Sequence, residues 1–221
     1  MRGCVIIPPA MDNEAYQVST PLFRAITTAD TAAVRRLLAA GADPNEAYGE
    51  DEDTVLLEAA IHGHTEMIDL LLQAGANPNT CDLHGYTALM GAVSSGCVTC
   101  VHQLLRAGAN MHAICARSGA TALHDAAGRE QTDILQALLN AGANPNAAEN
   151  KEGLTPLMCA VYRLNAAGVR LLLDHGANPH YRSSKNDTAL DLIATKLEEQ
   201  WLPAKRNKAQ KILALLQSAT A

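Results

Sequence analysis

Three groups of residues in this 221-residue chain have types and spacings suited to chemistry. Cys97-Val98-Thr99-Cys100 is a C-x-x-C, a pattern used for thiol–disulfide exchange and for zinc. Cys81-x-x-His84 and His112-x-x-Cys115 together offer four zinc ligands of suitable kind. Glu58, His62, His64 and Asp125 supply the carboxylates and imidazoles that general acid–base catalysis uses. None is accompanied by a G-x-S-x-G elbow, a phosphate-binding glycine run or an H-E-x-x-H helix. Without a nucleophile or a base with its orienting partner, the expectation is no catalytic residue, no metal and no cofactor.

The elements that carry these residues are set by a repeat. Gly41-Ala42-Asp43-Pro44-Asn45, Gly75-Ala76-Asn77-Pro78-Asn79, Gly108-Ala109-Asn110-Met111-His112, Gly142-Ala143-Asn144-Pro145-Asn146 and Gly176-Ala177-Asn178-Pro179-His180 recur at intervals of 34, 33, 34 and 34 residues. Units this short cannot bury an apolar face alone, so they must stack. A second ladder keeps the same phase: Thr20-Pro21-Leu22, Thr54-Val55-Leu56, Thr87-Ala88-Leu89, Thr121-Ala122-Leu123, Thr155-Pro156-Leu157 and Thr188-Ala189-Leu190. Each Thr occupies a helix N-cap, where its hydroxyl accepts an orphan backbone N–H. Ala25, Ala59, Ala92, Ala126 and Ala160 follow five residues later, small enough to let helices close together.

The second helix of each unit shows apolar columns counted back from the glycine. Val34, Ile68, Val101, Leu135 and Val169 stand seven before it; Leu37, Leu71, Leu104, Leu138 and Leu172 stand four before it. These spacings share one helical face, and the glycine then ends the helix in the left-handed region. Asn45, Asn79 and Asn146 are expected to bond backbone as Asx turns do. In this alignment Cys100 shares a core column with Ala33, Met67, Ile134 and Gly168. Cys97 falls with Asp30, His64, Gln131 and Asn165 in a column expected to be an exposed turn. The C-x-x-C is therefore read as structural, and His112, in a turn-forming Asn column, as a turn residue.

Helix, turn, helix, glycine stop and loop at this period, with the full match Thr121-Ala122-Leu123-His124-Asp125-Ala126, resemble the ankyrin repeat. The resemblance implies an all-α fold, an ankyrin-repeat α-solenoid of helix-turn-helix units with hairpin-like loops. Its expected organisation is a loosely ordered leader over 1–19 and a repeat domain over 20–217. Repeats fall near 20–53, 54–86, 87–120, 121–154, 155–187 and 188–217, with a tail over 218–221. Two departures bear on the loops: the glycine expected two residues before each Thr is Glu52 in the first and Asn186 in the last, so the first excursion should take its own shape. A prolonged first helix to about Trp201, with Pro203 opening the second, is expected in the last repeat.

The resemblance also implies a non-catalytic protein–protein interaction module that holds a peptide segment or a folded partner on its concave face, with a regulatory inhibitor or a secreted effector as the alternative. In such proteins contacts come from loop tips and the inner face of each first helix. Mapped here, the tips give Glu50, Asp51, Asp53, Leu83, His84, Tyr86, Arg117 and Leu154, and the helix faces give Glu58, Ile61, His62, Asp125, Arg129, Tyr162 and Arg163.

Composition agrees with stacked small helices: 48% of residues are hydrophobic but only 3% aromatic, so Ala and Leu must build the core. Residues 1–74 carry 4 basic and 12 acidic side chains, whereas 151–221 carry 10 and 6. The acidic run Glu50-Asp51-Glu52-Asp53 would steer a partner with a basic segment. A net charge of −6 without an aromatic-studded basic surface disfavours nucleic acid. No apolar run is long enough to cross a bilayer, and Pro8-Pro9 cut short the apolar stretch at Cys4–Ile7. A cytoplasmic monomer is expected, with signal-less secretion left open. Six cysteines without framework spacing are expected to be reduced thiols.

Overall fold

A computed structural model describes residues 5–6, 20–148, 152–198 and 203–220. Helices dominate, in pairs, and the chain gathers into two compact units, Met1–Arg117 and Ser118–Ala221, where the sequence suggests one continuous domain.

In the first unit, α1 (Pro21–Thr27) pairs with α2 (Thr31–Ala39), α3 (Val55–Ile61) with α4 (Thr65–Gln73), and α5 (Ala88–Ser95) with α6 (Val98–Arg106). In the second, α7 (Ala122–Gly128) pairs with α8 (Thr132–Asn140), α9 (Pro156–Tyr162) with α10 (Ala166–Asp174), and α11 (Ala189–Glu198) with α12 (Pro203–Thr220). Pro203 does open the last helix, which runs through 218–220; the expected end of α11 near Trp201 lies outside the described residues.

The first helix of each pair begins at its threonine. Thr20, Thr54, Thr87 and Thr155 accept the N–H of Phe23, Leu57, Met90 and Met158 at 3.1–3.4 Å. At Thr121 the His124 ring reaches back to the cap, its Nδ1 accepting the Thr121 amide N–H at 3.2 Å and lying 2.9 Å from the Thr121 hydroxyl. In the last pair Asp191 fills that role, accepting from both the Thr188 amide and its hydroxyl, and these bonds hold its carboxyl below the ordinary range.

Each long apolar helix ends alike. The amide after the glycine reaches back to the leucine column, as in Ala76 to Leu71 O at 2.9 Å and Ala143 to Leu138 O at 3.0 Å. This 6→1 closure needs a left-handed residue, and Gly75 and Gly142 supply φ of 96° and 95°. The leucine thus has two tasks, since its carbonyl closes the cap while its side chain packs inward, half-buried at Leu37 and fully buried at Leu71, Leu104, Leu138 and Leu172. Ala59, Ala92, Ala126 and Ala160 are also fully buried, so the first helices approach their neighbours on methyl groups alone.

The turns differ from the expectation in one respect. The Asx turn is made by the third residue of the motif: Asn77 Oδ1 accepts the Asn79 amide at 3.0 Å, and Asn144 Oδ1 the Asn146 amide at 3.0 Å. The fifth residue reaches onward instead. Asn79 Nδ2 donates to Gly108 O at 3.1 Å, and its Oδ1 accepts from the Asn110 amide at 2.6 Å. Asn45 joins Gly75 and Asn77, and Asn146 joins Gly176 and Asn178, in the same way. An amide carries both donor and acceptor, so one side chain satisfies both orphan groups of the next helix end.

Short strands decorate the loops of the first unit. β2 (Ala47–Tyr48) and β3 (Asp53–Thr54) form the antiparallel hairpin that gives the first excursion its own shape, with Glu52 at φ 56°. β1 (Val5–Ile6) pairs in parallel with β4 (Thr80–Cys81). Part of the expected loose leader is therefore a paired strand; the remainder of that segment lies outside the described residues.

Candidate partner-binding surfaces

In the second unit the first helices present matching triplets. Asp125, Gly128 and Arg129 lie at i, i+3 and i+4 along and just past α7, and Cys159, Tyr162 and Arg163 occupy the same offsets on α9, 34 residues on. These spacings put each triplet on one face. Together with Ala120, His124 and Leu154 they line a cavity of about 480 Å³. Five residues named from the sequence meet here: Asp125, Arg129, Leu154, Tyr162 and Arg163.

Each wall has a physical reason for its position. The His124 ring is fixed at both nitrogens, with Nε2 3.0 Å from Leu154 O, so it braces the loop that carries Leu154. Gly128 keeps the cavity open toward α9, because a Cβ there would stand 3.7 Å from Arg163 Cγ and fill the intervening space. Tyr162 is 56% exposed although aromatic. Lys196 of α11 holds its ammonium 4.6 Å from the centre of that ring, a cation–π contact. The Arg163 guanidinium makes no hydrogen bond or ion pair among the described residues, while its backbone N–H donates to Cys159 O at 3.1 Å.

Burial sets the protonation of two of these groups. Burial raises the Asp125 carboxyl above its ordinary range, against the pull of Arg129 and His124. Burial, with the nearby Asp125 charge, pushes the Cys159 thiol up to about 12, so at neutral pH it stays protonated and weakly nucleophilic. His124, Gly128 and Cys159 are lining residues absent from the binding set read from the sequence, and Cys159 is the one among them with a thiol. It stands in the column of Glu58 and Asp125, and that shared position is the signal that points to it.

The first unit presents a different surface. Asp51 is exposed and meets His84 Nε2 at 2.9 Å, while Glu58 Oε1 meets His62 Nε2 at 3.0 Å. The His62 and His64 rings stack at 5.5 Å. Asp53 is pushed up to about 6, first by desolvation and then by Asp82, Glu58 and Asp51. Ile61 and Leu83 are exposed beside these charges, at 38% and 48%. Glu50 is exposed in the hairpin turn, and Arg117 is exposed at the last residue of the unit. Tyr86 is held differently from an open tip, since its hydroxyl donates to Met90 O at 3.2 Å and lies 2.6 Å from Ser94 Oγ.

The candidate zinc ligands do not converge. Cys81 is disulfide-bonded, His84 serves Asp51, and Cys115 is buried. No cluster of three or more metal-ligating side chains occurs among the described residues.

The cysteine expectation needs correction. Cys97 and Cys100 are joined by a disulfide, not reduced, and the column of Cys97 is exposed at Asp30 but half-buried at Cys97 and buried at Asn165. Asp30, Cys97 and Asn165 are N-caps whose side chains accept the N–H three residues on. Asn165 is only 2% exposed and also donates to Ala127 O at 3.0 Å. A capping side chain turns back over the first helical turn, and that places the Cys97 sulfur on Cys100.

No described helix is long and apolar enough to cross a membrane. A family model described as ankyrin repeats in 3 copies matches residues 22–115 and again 99–183. Comparison with curated proteins gives no match.

Proposed function

Given that this chain belongs to the ankyrin repeat family, whose repeats are generally protein–protein interaction modules, we propose that it binds another protein without catalysis, chiefly through the cavity between α7 and α9. The supporting observation is the convergence there of an exposed tyrosine, an arginine with no ion pair among the described residues and an apolar wall from Leu154. Tyr and Arg carry much of the binding energy in protein interfaces, most of all where a pocket sheds water. A partner side chain entering the cavity would lie against Leu154 and the Tyr162 ring, with the Arg163 guanidinium available to a carboxylate or carbonyl oxygen.

The first unit contributes selection by charge. Six basic residues face thirteen acidic ones in Met1–Arg117. The group of Asp51, Asp53, Glu58 and Asp82 favours a basic segment of the partner, with Leu83 and Ile61 offering apolar contact beside it. Relief of like-charge repulsion supplies the attraction. The chain acts as a monomer in this reading.

A photo-crosslinking residue at position 162 tests the proposal directly. Capture of a polypeptide there, and not from exposed position 170 on α10, is expected. Reversal of Glu50, Asp51 and Asp53 to lysine should then slow association and flatten its salt dependence; unchanged association would remove the steering role.

A further inference from the structure

The disulfide at the head of α6 belongs to neither surface. Cys97 caps this nine-residue helix, and its Sγ accepts the Cys100 amide N–H at 3.2 Å. The two Cα atoms are 5.2 Å apart, inside the range a disulfide bridges without backbone movement. Cys97 is half-buried, whereas Cys100 has no exposed surface. Cys97 also meets the turn of the preceding helix pair, its Sγ 4.0 Å from Gly63 O and its Cβ 3.5 Å from where a Cβ on Gly63 would lie.

We propose that Cys97 and Cys100 form a reversible thiol–disulfide couple that exchanges electrons with dithiols, with Cys97 as the reacting sulfur. Three features carry this. The bridge closes a loop with only two residues inside it, and a short loop constrains the unfolded chain far less than a long one, so stapling explains it poorly. Its sulfurs are unequal in access, so an incoming thiolate can reach Cys97 and cannot reach Cys100. And the helix start that presents backbone N–H groups to Cys97 favours its thiolate once the bond opens.

A thiolate of the dithiol attacks Cys97 Sγ, the bond to Cys100 breaks, and the electron pair leaves on Cys100 Sγ, which takes a proton in its apolar surroundings. The second thiolate of the reagent then attacks the reagent's own sulfur in the mixed disulfide and releases Cys97 as thiolate. Two electrons pass to the protein and the dithiol becomes a disulfide; oxidation runs the same steps backward. The helix itself survives either state, because the reduced Cys97 sulfur still accepts the Cys100 amide.

The test uses the full-length native protein equilibrated in mixtures of reduced and oxidised dithiothreitol, quenched with acid, unfolded, alkylated with N-ethylmaleimide and mapped by mass spectrometry. Cys97 and Cys100 should lose label together as the oxidised fraction rises and regain it together on return. Cys97→Ser should leave Cys100 fully labelled at every ratio. If that variant fails to fold, the wild-type titration decides alone. Full labelling of both cysteines under the most oxidising mixture would overturn the proposal. So would a bond that stays closed in excess reduced dithiothreitol, or a partner for Cys97 other than Cys100.

Discussion

Asn79 spans from its own turn to the next helix end, accepting the Asn110 amide at 2.6 Å and donating to Gly108 O at 3.1 Å. One side chain thereby closes two backbone groups that no helix bond can satisfy. Asn79→Ala should lower the stability of the first unit by about 1–2 kcal/mol. Urea unfolding followed by circular dichroism measures this, with Asn79→Asp expected to be intermediate because it keeps only the acceptor.

Much of this arrangement is legible in the sequence, and what is not has a common cause. The glycine stops, the threonine caps and the buried leucine column depend on contacts within one unit, so local spacing reveals them. Asn79 is visible as a turn residue, but its true partners lie in the following repeat. Likewise Val5–Ile6 carries no sign that it will pair with Thr80–Cys81. Tyr86 reads as a free tip because nothing in its neighbourhood announces that Met90 O and Ser94 will take its hydroxyl. Cys97 shares its column with Asp30 and Asn165, whose short polar side chains favour helix N-caps, and that company is the signal for its own cap. Of the binding surface, the residues on α7 and α9 follow from helical periodicity, while Lys196 above Tyr162 comes from a repeat whose length departs from the period.

Gly85 is needed for two independent reasons. It holds φ 72°, and a Cβ there would stand 2.9 Å from Ile114 O, a backbone atom that cannot step aside. Gly85→Ala should destabilise the first unit by roughly 1–3 kcal/mol. Gly108→Ala isolates the conformational part, since nothing lies within 4 Å of its added Cβ, and should cost less in the same unfolding experiment.

Asp53 makes the first unit sensitive to pH in a definite direction. Burial and the neighbouring carboxylates push its carboxyl up to about 6 in the folded chain, from an ordinary value of 3.8. Between those values the folded state binds more protons than the unfolded one, so stability falls as pH rises through that window. Half exposure and solvent screening keep the effect small. Asp53→Asn should flatten the decline in urea midpoint between acidic and neutral buffer; an equally steep decline would mean that other carboxyls cause it.

Cys159 should be slow to react. With its thiol pushed up to about 12, little thiolate exists at neutral pH, and iodoacetamide should modify it in the folded protein far more slowly than after unfolding. Asp125→Asn, which removes a neighbouring negative charge that raises the thiol further, should speed that modification.

The account rests on the cavity between α7 and α9 being a place of contact with a protein. The most direct measurement is the equilibrium affinity of the partner captured at position 162 for the chain carrying Tyr162→Ala and Arg163→Ala, with Arg170→Ala as the control. A loss of tenfold or more, about 1.4 kcal/mol, is expected for the double variant, with none for the control. Equal affinity in all three proteins would contradict the account.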